Sequence, residues 1–322
     1  MKRIAWALLA LAFVTPAFAQ TGSGYPDRPV HLIVPFPAGS ATDIVSRVMA
    51  QRLSVKLGQQ FVVENRPGAS GNLGADVVAK ADPDGYTMGL ITASTHGVAP
   101  ALGTKLPYDP IKDFKPITVI GAAPYALVLY PGTPAKTVSE LVALAKSKPG
   151  SLNYGSAGLA SLAYLATALF EDDTGIKMTH VPYKSTAQSA IDIMTGRLDV
   201  QFATIGPTLQ SIRDGKLRAL ATTGRKRPAS LADVPTMIES GVKDYDVSLW
   251  IAYVAPASTP DAVIAKLNRA MVEILDEPGV IDNLEKQGFQ AEPGPPDAVT
   301  ARIKSEIEKW RTLIAKTGMQ VQ

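Results

Sequence analysis

The chain has 322 residues, 46% of them hydrophobic and 19% charged, with a formal net charge of +3 and no cysteine. That length and apolar content suffice for a sizeable core and favour two domains over one. The absence of cysteine excludes disulfides, thiolate metal sites and cysteine nucleophiles, and the lack of a basic stripe gives no footprint for nucleic acid.

The first 19 residues read as a secretory signal peptide. Lys2 and Arg3 precede an apolar run over residues 4–14, and Ala17-Phe18-Ala19 supplies a small-x-small cleavage site. The run is shorter than the roughly 20 residues a membrane span needs. Cleavage after Ala19 removes Lys2 and Arg3 and leaves a charge of +1, because no acidic residue lies before Gln20. A free, exported protein is the expectation.

A strand is expected over 31–34, ended by Pro35 and Pro37, followed by the small residues Ala38, Gly39, Ser40, Ala41 and Thr42 and a helix from Asp43 to about 57. A loop of this kind leaves unpaired N–H groups at the positive end of a helix, open to an approaching anion. A second strand is expected over 61–63. The loop carrying Gly68, Gly71 and Gly74 precedes a helix over 75–81; it reads either as a glycine turn with a close-packed helix start or as a ligand loop. A third strand over 87–91 ends in Thr92-Ala93-Ser94-Thr95-His96-Gly97. This β-α-β-α-β pattern implies parallel strands with ligands outside their carboxyl ends.

Further on come an apolar run over 122–130 and a helix opened by Thr137 with Glu140 as capping box. A strand around 152–154 then leads into Gly155-Ser156-Ala157-Gly158-Leu159-Ala160-Ser161 and a helix to about 170. Strands are expected over 178–181, 199–203 and 217–222, with a helix over 188–194. Val34-Pro35-Phe36 before Asp43 is echoed by Val181-Pro182-Tyr183 before Asp192, with Lys184, Ser185, Thr186 and Ala187 in the second loop. Two such halves would present two anion sites across one cleft. A strand over 248–254 and helices over 261–275 and 300–315 return the chain to the first half. The runs 122–129 and 248–254 are then the two crossings between domains, a layout for closure around a ligand.

These residues carry a resemblance. The blocks YPDRPVHLIVPFPAGSATD from Tyr25, GQQFVVENRPGASGNLGA from Gly58, ADPDGYTM from Ala81, LPYDPIKDFKPI from Leu106, PGSLNYGSAG from Pro149, HVPYKS from His180 and LWIAYVAPASTP from Leu249 are similar to the Bug family, the periplasmic solute receptors of tripartite tricarboxylate transporters. The resemblance spans essentially the whole mature chain. It implies an α/β fold of two doubly wound domains joined by a two-strand hinge, a type II periplasmic binding protein. It also implies a small carboxylate in the interdomain cleft, held by both loops partly through water, and delivery to membrane transporter subunits. The expected domains are 20–123 with 249–322, and 124–248. No cofactor, metal or nucleic acid is expected, and the protein is read as a monomer. Two positions depart from the family pattern: Ser40 and Ser185 stand where glycine is usual, each adding a hydroxyl to a ligand loop.

The candidate ligand residues are Phe36, Ala38, Gly39, Ser40, Ala41, Thr42, Asp43, Ser94 and Thr95 from one half, and Ser156, Ala157, Gly158, Ser161, Tyr183, Ser185, Thr186, Ala187 and Thr204 from the other. With hydroxyls in both loops the cleft suits a dicarboxylate, and Phe36 and Tyr183 either flank its aliphatic or aromatic middle or pack inward. Asp43 either caps its helix or orders a water for the ligand, since a carboxylate facing an anion directly repels it. Lys184 is read as a rim lysine. A sensor presenting the same solute to a signalling partner is the alternative. A hydrolase is disfavoured: Ser156 lies outside a G-x-S-x-G elbow, and His31 and His180 sit at strand starts, away from the expected site.

Overall fold

The computed structural model describes residues 24–318 except 157, 160, 184 and 185. The signal peptide, Ala157, Lys184 and Ser185 therefore lie outside the described residues, as do the side chains of Thr186 and Ala187. No helix among the described residues is long and apolar enough to cross a membrane.

Three βα units open the chain: β1 (Val30–Val34), α1 (Ala41–Leu57), β2 (Phe61–Asn65), α2 (Asn72–Ala79), β3 (Thr87–Thr92) and, after a π-helical turn over Ser94–Val98, the single turn α3 (Ala99–Ala101). The 16-residue strand β4 (Phe114–Leu129) leads into α4 (Val138–Ser147), β5 (Asn153–Ser156), α5 (Leu162–Thr174), β6 (Thr179–Pro182), α6 (Thr186–Met194), β7 (Val200–Thr204), α7 (Ile205–Arg213) and β8 (Arg218–Thr222). The chain returns through β9 (Ser248–Pro256), α8 (Asp261–Leu275), α9 (Pro278–Lys286), β10 (Gln290–Ala291) and α10 (Pro296–Thr317). The first part of β4 exceeds the expected run, and α7, α9 and β10 were not foreseen. Lys115, Pro116 and Gly121 interrupt the apolar pattern of β4, and Gly206 and Pro207 occupy the first turn of α7.

The strands form one mixed sheet in the order β2-β1-β3-β9-β4-β7-β5-β6, with β8 and β10 also on β4. β1 lies parallel between β2 and β3, and β5 lies parallel between β6 and β7. β9 runs antiparallel to both β3 and β4. β4 changes partners in mid-strand: Phe114 to Pro124 pair with β9, and Tyr125 to Leu129 pair with β7 and β8. Thr223 ties the two connections together. Its Oγ1 accepts from the Tyr125 N–H at 2.8 Å and donates to the Val247 carbonyl, one residue before β9.

This order corrects the internal echo. Each half has a central strand flanked by two parallel ones, so β1 with its following loop and α1 corresponds to β5, its loop and α5. The Val-Pro-aromatic match instead paired β1 with β6, a flanking strand. Phe36 and Tyr183 are therefore not at equivalent places, and the counterpart of the helix-opening Ser40 is Ser161.

Apolar surface is buried on both sheet faces, as parallel strands require. One cluster joins Leu32, Val34, Met88 and Tyr253 to α1, α8 and α9; another runs from Ile33 and Ile91 beneath α10 through Leu127 to Phe170 and Phe202. The glycine loop before α2 is partly packing. A Cβ on Gly74 would stand 2.8 Å from the Pro35 Cα and 2.9 Å from the Arg66 carbonyl oxygen, so the helix start seats directly on the end of β1.

The start of α1 is held by Asp43, whose side chain is 2% exposed. Its carboxylate accepts from the Gly39 N–H at 2.8 Å, Asn65 Nδ2 at 2.8 Å and Arg47 Nε at 3.0 Å. Its own N–H donates to Ser40 Oγ at 3.3 Å, which makes Ser40 the N-cap. Burial pushes the Asp43 carboxyl up, but the hydrogen bonds from Arg47, Gly39 and Asn65 together with the Arg47 charge outweigh it and hold it below the ordinary value. A carboxyl lowered on folding adds stability above its unfolded value near pH 4, and that stability is lost as pH falls through the folded value. Asp43→Asn should therefore destabilise the protein by about 1–3 kcal/mol at neutral pH, with the difference from wild type shrinking in acid. Denaturation as a function of pH checks this; a constant difference down to acid would show that the charge is not what holds the loop.

Candidate ligand cleft

A cleft of about 1130 Å³ opens where the carboxyl ends of the parallel strands meet the β4–β9 crossing. Phe36, Ser40, Ala41 and Thr42 come from the β1–α1 loop and first turn of α1, Ala69, Ser70 and Asn72 from the glycine loop, and Ser94, Val98, Ala99 and Leu102 from the turns after β3. Gly158, Leu159, Ser161 and Leu162 face them from the β5–α5 loop, with His180 and Pro182 of β6 and Thr204 to Pro207 at the start of α7. Ala123, Pro124, Tyr125 and Leu249 form the floor at the crossing, and Gln287, Gly288 and Phe289 close one side.

No Lys, Arg, Asp or Glu is among these lining residues. What the cleft offers an anion is the starts of helices. α1 opens on Ser40, α5 on Ser161 and α7 on Thr204, and all three residues line the cleft. The first N–H groups of each helix have no carbonyl in an earlier turn, and the helix dipoles add positive potential at the same ends. Ser161 is built like Ser40: its Oγ accepts from the Tyr164 N–H at 3.2 Å and donates to the Gly158 carbonyl at 2.7 Å. Gly39 and Gly158, at φ +80° and +94°, turn the two loops toward their helices. Between the polar ends the walls are apolar, with Val98, Leu102, Leu159, Leu162, Ile205, Leu249 and Phe289.

Of the candidate residues, Phe36, Ser40, Ala41, Thr42, Ser94, Gly158, Ser161 and Thr204 are brought to the cleft. Ala38 and Gly39 lie in the first loop, are exposed, and are not among the cleft-lining residues. Asp43 is buried behind that loop with its oxygens engaged by protein donors, which places it as the partner of the Ser40 cap. Thr95 is buried and bridges Thr92 and His96, pinning the turn after β3. Tyr183 packs against its own half and donates to Asp192 Oδ2 at 2.7 Å, so it does not flank the cleft opposite Phe36. Ser156 is fully buried beneath the loop. Thr186 and Ala187 belong to the first turn of α6.

The histidines separate cleanly. His31 is an exposed partner of Glu64. His96 is fully buried against Tyr108 and Phe114, and burial pushes it down to about 3, so it is a neutral core residue. His180, read as remote, reaches the cleft. β6 has only four residues, so its second residue is already near the carboxyl end. His180 Nε2 lies 2.8 Å from Ser156 Oγ. That pair makes no catalytic triad: Ser156 is buried, and no carboxylate contacts His180 among the described residues. Asn72, Tyr125, Leu249, Ile205, Gly206 and Pro207 were missed as site residues because only the sheet pairing brings them to one place.

The match to known proteins is extensive. A family model described as tripartite tricarboxylate transporter family receptor matches residues 45–319. The periplasmic binding protein BugD is 33% identical, with a TM-score of 0.74 over 92% of this chain and 100% of that one. An R. palustris protein solved with adipate is 34% identical, with a TM-score of 0.78 over 91% of this chain and 98% of that one. MatC from Rhodopseudomonas palustris, solved with bound malate, is 32% identical, with a TM-score of 0.73 over 90% of this chain and 100% of that one. The chain belongs to the tripartite tricarboxylate transporter receptor family, whose Bug-type members are periplasmic solute-binding proteins and not enzymes.

Proposed function

We propose that the protein, exported by cleavage after Ala19, captures a dicarboxylate with an apolar middle, aliphatic or aromatic, and delivers it to the membrane subunits of a tripartite tricarboxylate-type transporter. The observation that carries this reading is the pairing of helix starts on opposite sides of a cleft whose described lining has no charged side chain. One carboxylate meets Ser40, Thr42 and the first amides of α1; the other meets the first amides of α5 and the Ser161 hydroxyl, whose single proton leaves the Gly158 carbonyl for the ligand. The apolar walls suit the chain or ring between them. Adipate and malate, bound by two of the related structures, are both dicarboxylates, in line with two anion ends.

In this reading residues 20–123 with 249–322 form one domain and residues 124–248 the other, hinged where β4 changes partners between Pro124 and Tyr125 and where β9 begins. The receptor works as a monomer that closes on its ligand. Scattering in solution should then give a smaller radius of gyration with adipate than without; unchanged dimensions on clear binding would mean that the halves do not close.

Hydrogen bonds to a charged group contribute about 1.5–3 kcal/mol, so removing one serine hydroxyl should weaken binding roughly ten- to a hundred-fold. Ser40→Ala and Ser161→Ala should each do so for adipate, while a monocarboxylate of similar length should respond to only one of them. Calorimetry decides it. If neither substitution moves the affinity for adipate, the hydroxyls serve only as caps and the two-ended model fails.

A further inference from the structure

Among the described lining residues of the cleft, His180 and Tyr125 are the only titratable ones, and Tyr125 is buried, pushed up to about 12 by burial. His180 is thus the one described side chain able to bring a positive charge to this cleft near neutral pH. Its ring stands between Tyr154 of β5, centroids 5.0 Å apart, and Tyr164 of α5, 4.9 Å away and edge-on. Its Nε2 is 2.8 Å from Ser156 Oγ, which lies 3.2 Å from the Gly158 carbonyl oxygen.

That arrangement accommodates both charge states. The Ser156 hydroxyl has one proton, and the Gly158 carbonyl can receive it, leaving the oxygen free to accept from Nε2–H. A protonated ring therefore leaves no buried donor without a partner on the Ser156 side. Its other nitrogen has no acceptor among the described residues. Burial lowers the affinity of His180 for a proton, and the positive end of α5 acts in the same direction. The titratable groups around it are the two tyrosines, Glu171 farther along α5, and Lys177 just before β6. The Glu171 carboxylate accepts from the Met178 N–H, and its charge acts on Tyr154 and Tyr164.

We propose that His180 is a ligand-contacting specificity residue that takes up a proton as the carboxylate enters, so that capture tightens on the acidic side of neutrality. The inference rests on the carboxylate reading above. An entering anion supplies the countercharge that the described protein withholds, and the imidazolium donates to it. A ligand of the same shape without the negative charge at this end gains nothing from the proton.

The test is calorimetry of the mature receptor with adipate, and separately with malate, in buffers of different ionisation enthalpy between about pH 6 and 8. Wild type should take up protons on binding, and its affinity should fall with rising pH by up to about tenfold per unit. His180→Gln, which keeps a polar partner for Ser156, should lose this uptake and slope beyond the ligand's own titration, bind about tenfold more weakly at the acid end and match wild type at the alkaline end. Wild-type binding without proton uptake overturns the inference, as does an unchanged slope in the variant. If the variant does not fold, the buffer comparison on wild type decides alone. If neither acid binds, the dicarboxylate reading falls together with the inference, whereas binding without proton linkage removes the inference and leaves that reading standing.

Discussion

A carboxylate leaving water must find its hydrogen bonds again, and a cleft whose described lining holds no Lys or Arg supplies them chiefly from backbone amides, hydroxyls and helix ends. This constraint organises the site. It explains why small residues line both loops, why Ser40 and Ser161 open helices that point into the same space, and why the Asp43 carboxylate is turned away, paired with Arg47 and hydrogen-bonded by Asn65. Asp43 shapes the first loop from behind: it fixes the Gly39 amide and, through its own N–H, the Ser40 hydroxyl. A loop proposed to receive an anion can in this way be braced by another, provided that the brace is buried and satisfied by the protein.

On the proposed reading, the helix starts of the two halves must face each other, and β4 allows this by belonging to both halves of the sheet, with β9 alongside its first part. The change of partners between Pro124 and Tyr125 falls at the cleft floor, where both residues line the cavity. Thr223 links Tyr125 to Val247, so the two strands that connect the halves are tied at one point. If the proposed closure occurs, this tie is where it would bend, changing the separation of the α1 and α5 starts.

Much of the fold was legible because local chemistry decides it. Apolar runs bounded by glycine and proline marked the strands, Thr137 with Glu140 marked the start of α4, and the amphipathic pattern set α8 at Asp261–Leu275. What failed depends on contacts distant in sequence. The Val-Pro-aromatic echo looked like a repeat, but only strand pairing shows that β5, and not β6, is the counterpart of β1. Asp43, Thr95 and Tyr183 carry polar groups in the right loops, yet each side chain turns into its own half. Residue type within a loop does not say which way the side chain faces. His180 was misplaced for the converse reason: its strand is so short that start and end coincide.

The central claim is that carboxylates are received at once by the helix starts of both halves. Backbone amide nuclear magnetic resonance during titration with adipate tests it most directly, because an amide that acquires a charged acceptor moves strongly in its spectrum. The account predicts that Ala41 and Thr42 at the start of α1, and Leu162 and Ala163 at the start of α5, shift together and saturate at one ligand concentration. Shifts confined to one half, or confined to residues outside these helix starts, would contradict it.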